Sequence, residues 1–187
     1  MSDSTLTAST PISAANDGAL RSARLSEAGQ AWTQRIGANP ESAKLTYKVA
    51  GVGVGSVATR ISSGKHQFLV DEPAALAGDD VAASPVEYAL AAIISCQVVV
   101  YRLYAEQLGI QLDDITIDAE GDLDVRGLFG LDDTVRPGFS DIRLAVNISG
   151  PETQERYEEL ARTVEARCTV QDLFSNPTPF GTVITKV

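Results

Sequence analysis

The sequence has little histidine, little cysteine and no concentrated positive charge. It contains one histidine, His66, and two cysteines, Cys96 and Cys168, which form no Cys-x-x-Cys pair. A zinc site is therefore not expected, and nothing else in the sequence indicates a cofactor. Lys and Arg total 15 against 25 Asp and Glu, which gives a formal net charge of −10. Because no basic run offsets this charge, neither nucleic acid nor an anionic membrane surface is expected as a partner.

The sequence pattern also shows no targeting segment and no long apolar run. Met1 to Asn16 is rich in Ser, Thr and Ala, without the basic start and apolar stretch of a secretory signal. The longest apolar run, Ala89 to Tyr101, is interrupted by Ser95 and Gln97 and is too short to span a bilayer. We therefore expect a cytoplasmic protein whose two cysteines are reduced thiols at rest.

The chain length fits one domain with an N-terminal extension. Residues 1–17 are predicted to be a flexible tail, and residues 18–36 have a helical pattern with an apolar stripe of Leu25, Ala28, Trp32 and Ile36. A helix of this length is not stable alone, so it is expected to dock on the main domain or across a dimer. Contact with another protein is a further hypothesis for it. The predicted divisions are residues 1–40, a tail plus helical extension, and residues 41–187, the main domain.

Three short strands are predicted after this extension. Alternation of apolar and polar residues predicts strands over residues 43–50, 53–61 and 66–71. The stretch Gly51-Val52-Gly53-Val54-Gly55 superficially resembles a nucleotide-binding loop. It lacks the Gly-x-Gly-x-x-Gly spacing and no helix follows it, so we interpret it as a hairpin turn.

The clearest helix start is Ser84-Pro85-Val86-Glu87, which has the pattern of a capping box with proline at the first helical position. The helix is predicted to run to Leu108, to end at Gly109 and, being apolar nearly all round, to be buried in the centre of the fold. Strands are predicted at 115–124, 139–148 and 181–187, and an amphipathic helix capped by Ser149 is predicted at 151–167. Two long helices against a mostly antiparallel sheet make an α+β fold.

Cys96 lies in the middle of the predicted central helix, and Cys168 lies just past the end of the later helix. Free cysteines often only fill core space, and this alternative stays open for both. A cysteine in the middle of a helix gains little from that helix's own dipole. Reactivity at neutral pH would require a nearby cation, such as an arginine, to favour the thiolate. Cys168 is expected to be the more exposed thiol.

The motifs together resemble the OsmC/Ohr family over about residues 44–187. Ser84-Pro85-Val86-Glu87, the apolar helix and Ile94-Ser95-Cys96 are similar to its proline-containing cap and helical cysteine. Val135-Arg136-Pro137-Gly138-Phe139, Arg167-Cys168 and Asn176-Pro177-Thr178-Pro179 are similar to its second half. The resemblance implies a mostly antiparallel sheet packed on two long helices, in an intertwined homodimer.

The resemblance also implies a chemistry. Cys96 would attack an organic hydroperoxide and become a sulfenic acid, and Cys168 would then form a disulfide with it. An external thiol or dithiol would reduce this disulfide. The protein would then be a thiol-dependent peroxidase of the OsmC/Ohr type.

The chain departs from the family pattern near the cap and after the second cysteine. Val86 occupies the place of a glutamate that pairs with an activating arginine in the peroxidases, so Glu87, one residue later, is the candidate site residue for that glutamate. Arg60 is the candidate for the arginine, and Thr169 replaces a proline that often follows the second cysteine. The alternative hypothesis is a non-peroxidatic OsmC-like dimer that binds an apolar small molecule or a protein partner.

Overall fold

The computed structural model describes residues 18–186, so the predicted tail at residues 1–17 lies outside the described residues. The helices are α1 (Gly18–Ala38), α2 (Pro85–Leu108), α3 (Val125–Leu128), α4 (Gln154–Glu165) and α5 (Thr169–Ser175). The strands are β1 (Ala50–Val54), β2 (Ala58–Ser63), β3 (His66–Val70), β4 (Asp114–Asp122) and β5 (Asp141–Ser149). Short 3-10 turns cover Pro40–Ala43 and Ala74–Leu76. The α+β class with antiparallel sheets and two long helices is confirmed.

Helix α1 forms where it was predicted and lies against α2. The Arg21 guanidinium donates to the carbonyl oxygen of Leu112 at 2.6 Å. The hydroxyls of Ser22 and Ser26 donate to the Glu106 carboxylate at 2.7 and 3.0 Å. The predicted apolar stripe is only partly covered, since Trp32 and Ile36 are 40% and 39% exposed. Polar contacts at its N-terminal half therefore fix α1 within this chain.

The first sheet contains β1, β2 and β3 in antiparallel order. The strand predicted at 43–50 is wrong, because Asn39 caps the 3-10 turn Pro40–Ala43 and the chain becomes a strand only at Ala50. Proline at the first position and asparagine at the cap favour such a turn. The hairpin predicted over residues 51–55 forms, but its turn lies further along the chain than predicted. Residues 51–54 belong to β1, and the turn begins at Gly55, whose φ of 59° suits glycine.

Helix α2 has the predicted bounds and the predicted caps. The Ser84 hydroxyl accepts from the Glu87 N–H, the Glu87 carboxylate accepts from the Ser84 N–H, and Gly109 ends the helix with φ 62°. The prediction of burial all round is wrong for the single chain, since Val86 and Val99 are 41% and 61% exposed. The helix has the length and apolar composition of a membrane span, but it packs on β4 and on α1, α4 and α5.

The second sheet pairs β4 with β5, and Ile117 lies opposite Val146. Side chains alternate between the core and the opposite face along both strands. The main core lies between this sheet, α2 and α4, where Leu160 and Val164 are fully buried. Antiparallel pairing is thus confirmed, in two separate sheets within one chain.

The predicted cap of α4 and the predicted terminal strand differ from the structure. Helix α4 begins after Thr153, because Ser149 is still the last residue of β5 and its carbonyl oxygen accepts from the N–H of Asp113. No strand forms in 181–186, the described part of the predicted terminal strand. Val183 and Ile184 there are 93% and 91% exposed. A strand needs a neighbour for its N–H and C=O groups, and this segment has none in the described chain.

Candidate thiol site

The fold brings Cys96 and Cys168 together, although they are far apart in the sequence. Cys96 lies in the middle of α2, and Cys168 is the residue before α5, which packs on α2. Each thiol affects the ionisation of the other through a side-chain hydrogen bond. The structure therefore contains a pair of adjacent free thiols.

Cys168, not Cys96, is the more buried thiol, so the expectation of greater exposure for Cys168 is wrong. Cys168 is 2% exposed, whereas Cys96 is half-buried. The backbone N–H of Cys168 donates to the carbonyl oxygen of Val164 at 2.8 Å. Because Val164 is fully buried in the main core, this bond holds Cys168 on the core side of the α4–α5 junction.

Thr169 is a hydrogen-bond partner of the Cys96 sulfur. Its Oγ1 lies 3.5 Å from Cys96 Sγ. The backbone N–H groups of Thr169 and Val170 at the start of α5 also face the sulfur. These are free donors of a first helical turn, which lack partners within their own helix. Cys96 thus meets donors that its own helix could not provide.

The surroundings move the pKa values of the two thiols in opposite directions. Burial raises the pKa of Cys96, but hydrogen bonds from the Thr169 hydroxyl, the Val170 N–H and the Cys168 thiol outweigh burial and place it below the ordinary value. Burial also raises the pKa of Cys168, and the neighbouring Cys96 raises it further. The N–H groups of Gln171 and Val170 act against this rise. As the pH rises, Cys96 is therefore the first of the two thiols to lose its proton.

The two other predicted site residues lie elsewhere in the chain. Arg60 is in β2, where its side chain is exposed and makes no hydrogen bond or ion pair within residues 18–186. The Glu87 carboxylate accepts from the N–H and the hydroxyl of Ser84, both at 2.7 Å. These bonds lower the pKa of Glu87. In the described chain, neither Arg60 nor Glu87 contributes to the pKa of Cys96.

Two glutamines near the thiols were not singled out from the sequence. Gln97 is 2% exposed, and its Nε2 donates to Gln171 Oε1 at 2.6 Å. The sequence could have indicated Gln97, since an amide side chain in the middle of an apolar helix requires a hydrogen-bond partner. The activating contact of Thr169 was also missed. Its only sequence signal was its position directly after Cys168.

A cavity of about 300 Å³ adjoins the amide pair. It lies between α2, β5 and α5, and its walls include Gln97 and Gln171. Its apolar lining consists of Ile93, Tyr101, Ile142, Leu144, Val146 and Phe174. Glu165 and Ser175 also line it, so the cavity suits a small molecule with both apolar and polar parts. Within residues 18–186, no cluster of three or more His, Cys, Asp or Glu residues could hold a metal ion.

Comparisons with known proteins agree with this architecture. A family model described as OsmC-like protein matches residues 78–183. The fold is similar to an OsmC-like protein from Mycoplasma pneumoniae, with a TM-score of 0.62, 17% identity, and coverage of 70% of this chain and 88% of that one. No curated protein matches the sequence.

Two structures with organic hydroperoxide resistance in their names are also similar. The protein OsmC of Legionella pneumophila has a TM-score of 0.56 and 20% identity, covering 70% of this chain and 90% of that one. OhrB of Bacillus subtilis has a TM-score of 0.52 and 22% identity, covering 70% of this chain and 91% of that one. At these identities the likeness establishes the fold alone.

Proposed function

Because the chain belongs to the OsmC-like protein family, we propose that it is a thiol-dependent peroxidase that reduces organic hydroperoxides with Cys96 and Cys168. One observation carries the proposal. Two adjacent thiols have pKa values that their surroundings move apart, downward for Cys96 and upward for Cys168. When the pKa values of two identical groups differ in this way, the two groups can take different roles in a reaction.

Cys96 is the attacking thiol in this proposal, since the thiolate is the reactive form. Its sulfur attacks the terminal oxygen of the hydroperoxide, an S–O bond forms, and the O–O bond breaks. The alkoxide leaves and takes up a proton to become an alcohol. Cys96 is thereby oxidised to a sulfenic acid.

Cys168 resolves this sulfenic acid. Its sulfur attacks the Cys96 sulfur, the S–S bond forms, and the sulfenic oxygen leaves as water with the thiol proton. An external thiol or dithiol then reduces the disulfide and is itself oxidised. A reducing compartment such as the cytoplasm would supply this reductant.

In this proposal, Thr169 and the first turn of α5 activate Cys96. Their hydrogen bonds stabilise the thiolate without a cation from the described chain. Glu87 supports the site indirectly by capping α2. A direct role for Arg60 stays a prediction, which loss of activity in Arg60→Ala would support.

A homodimer is part of the proposal. The first sheet meets α2 through the Phe68–Tyr88 ring contact at 5.2 Å and a 2.9 Å hydrogen bond from the Tyr88 hydroxyl to Leu69. Val52 in that sheet and Val99 in α2 are 65% and 61% exposed. Exposed apolar surface on two neighbouring elements favours burial against a second copy. Light scattering after size exclusion should give twice the chain mass, and a monomer at micromolar concentration would contradict the dimer.

The decisive experiment is peroxide consumption with a dithiol reductant. We expect the wild type to consume cumene hydroperoxide, and Cys96→Ser to consume none. Cys168→Ser should accumulate over-oxidised Cys96, because its sulfenic acid lacks a resolving thiol. Mass spectrometry of the oxidised wild type should find a Cys96–Cys168 disulfide. Two intact thiols after a stoichiometric dose of peroxide would end the proposal.

Binding of an apolar small molecule is the second candidate function. The 300 Å³ cavity beside Gln97 favours it, because Ile93, Leu144 and Phe174 give part of its wall an apolar surface. An apolar fluorescent probe should then bind to the wild type and to Cys96→Ser equally. Leu144→Asp should abolish this binding by placing a charge in the cavity wall. If Leu144→Asp bound the probe as the wild type does, the cavity would not be the binding site.

A further inference from the structure

A hydrogen bond between two side-chain amides joins α2 to α5 beside the thiols. Gln97 Nε2 donates to Gln171 Oε1 over 2.6 Å. Gln97 is 2% exposed, and it shares its face of α2 with Ile93, Val100, Tyr101 and Ala105. Burial of an amide in such surroundings is unfavourable unless it is hydrogen-bonded. Gln171 supplies the acceptor that makes Gln97 compatible with this face.

Helix α5 has few other attachments to the rest of the described chain. It has seven residues, Thr169–Ser175, and none of them is buried. Leu173 and Phe174 are 59% and 41% exposed. The helix is held by Cys168 at its start, by the contact of Thr169 with Cys96, and by the amide pair. A short segment with so little buried apolar surface opens locally at low free energy.

We propose that the Gln97–Gln171 pair is a positioning contact that holds Cys168 and Thr169 against Cys96 and so sets the rate at which the Cys96 sulfenic acid is resolved. This inference rests on the proposed peroxidase function. Gln97 follows Cys96 on α2, and Gln171 lies one helical turn beyond Cys168. A bond between them restrains the two sulfurs relative to each other. Without it, α5 spends more time away from α2, and the effective concentration of the Cys168 thiol at Cys96 falls.

Resolution of the Cys96 sulfenic acid by Cys168 competes with over-oxidation of Cys96. In resolution, the Cys168 sulfur displaces the sulfenic oxygen of Cys96, which leaves as water with the thiol proton. In over-oxidation, a second hydroperoxide molecule transfers its terminal oxygen to the sulfenic sulfur, giving a sulfinic acid and an alcohol. The amide pair therefore determines how the sulfenic acid divides between a reversible and an irreversible product.

The test compares Gln171→Leu with the matched control Gln107→Leu. Gln107 is an exposed glutamine on α2 that makes no side-chain hydrogen bond among the described residues. After one equivalent of cumene hydroperoxide, the sulfenic acid is trapped with dimedone at set times and measured by mass spectrometry. In Gln171→Leu we expect it to disappear about tenfold more slowly than in the wild type. Gln107→Leu should match the wild type.

Two further variants separate positioning from general destabilisation. Gln97→Leu fills the same space with an apolar side chain and should slow resolution as Gln171→Leu does. Gln171→Glu keeps an acceptor for Gln97 and should resolve within about threefold of the wild type. If Gln171→Glu were as slow as Gln171→Leu, the hydrogen bond would not be the cause and the inference would be overturned.

A second measurement does not depend on peroxide. In glutathione redox buffers, the equilibrium constant for the Cys96–Cys168 disulfide should be about tenfold smaller in Gln171→Leu than in the wild type. Unchanged resolution rates and equilibrium constants would overturn the positioning role and leave the peroxidase function intact. If the wild type consumed no peroxide, the peroxidase function would fail. The glutathione equilibrium would then decide by itself whether the amide pair positions the thiols.

Discussion

Two regions of the chain differ in how they bury apolar side chains. In the thiol region, residues 84–176, Leu160 and Val164 are fully buried in a core shared by α2, α4 and the second sheet. In the N-terminal region, residues 18–83, the only buried residue is Asp71. Tyr47 and Val52 there are 85% and 65% exposed. The two thiols are thus brought together within one chain, whereas the N-terminal region keeps most of its apolar surface exposed.

The largest expected effect is the loss of stability when the core of the thiol region is disrupted. Leu160→Ala should lower the free energy of unfolding by about 3 kcal/mol, because it leaves a cavity at a fully buried site. The matched change Leu45→Ala, at a residue 50% exposed in the N-terminal region, should cost less than about 1 kcal/mol. Urea denaturation measures both values. Equal losses would show that the two regions do not differ in packing.

The next effect concerns the donor that stabilises the Cys96 thiolate. Thr169→Val removes the hydroxyl and should slow the reaction with hydroperoxide about tenfold at pH 7. The reason is that the pKa of Cys96 rises when this hydrogen bond is lost. The rate should recover as the pH is raised, since the thiolate then forms without help. Stopped-flow kinetics from pH 5 to 10 tests this shift.

Thr163→Val is the control for that substitution. Thr163 lies on α4, and its hydroxyl donates within the helix to the carbonyl oxygen of Glu159 at 3.1 Å. Its pH profile should match that of the wild type. Identical profiles for Thr169→Val and the wild type would contradict activation by Thr169.

A smaller effect concerns the connection between the regions, which Asp71 organises. Its carboxylate accepts from the N–H groups of Asp79 and Val81 at 3.1 and 3.2 Å. The pKa of Asp71 is lowered mainly by the Glu72 N–H, against an opposing effect of burial. Its stabilising effect is therefore present above the ordinary carboxyl pKa and is lost as the pH falls through the lowered value.

Asp71→Ala should therefore increase proteolysis within residues 72–83 several-fold at pH 7. The wild type should show a similar increase only in acid, tested with an acid-active protease. Asp79→Ala is the control, because that substitution keeps the backbone N–H which bonds to Asp71. If Asp71→Ala were cleaved at the wild-type rate, Asp71 would not hold this connection.

The smallest effect is expected at α1. Arg21→Ala removes the hydrogen bonds to the carbonyl oxygens of Leu112 and Asp113. Amide hydrogen exchange in α1 should then accelerate, while peroxide consumption stays within about twofold of the wild type. Glu27→Ala, at an exposed residue of α1 that makes no side-chain hydrogen bond to α2 or to residues 109–113, should change neither quantity. A large loss of activity in Arg21→Ala would show that α1 contributes to the thiol site.

The sequence predicted correctly those helices and strands whose ends or pattern depend on nearby residues alone. Ser84, Glu87 and Gly109 set both ends of α2, and the alternation in β4 and β5 marked the second sheet. The strand predicted at 43–50 failed because Asn39 and Pro40 favour a 3-10 turn there. The predicted terminal strand failed over residues 181–186, its described part, because strand pairing depends on a neighbour that the segment itself does not encode.

The sequence by itself determined the family resemblance, the two cysteines and the caps that place Cys96 in the middle of α2. Only the tertiary structure decided which groups surround Cys96. Hydrogen bonds to the sulfur act over a few ångströms, and their donors lie on α5, more than 70 residues further along the chain. The sequence therefore indicated a need for an activating group, and packing of α5 on α2 supplied Thr169 in that place.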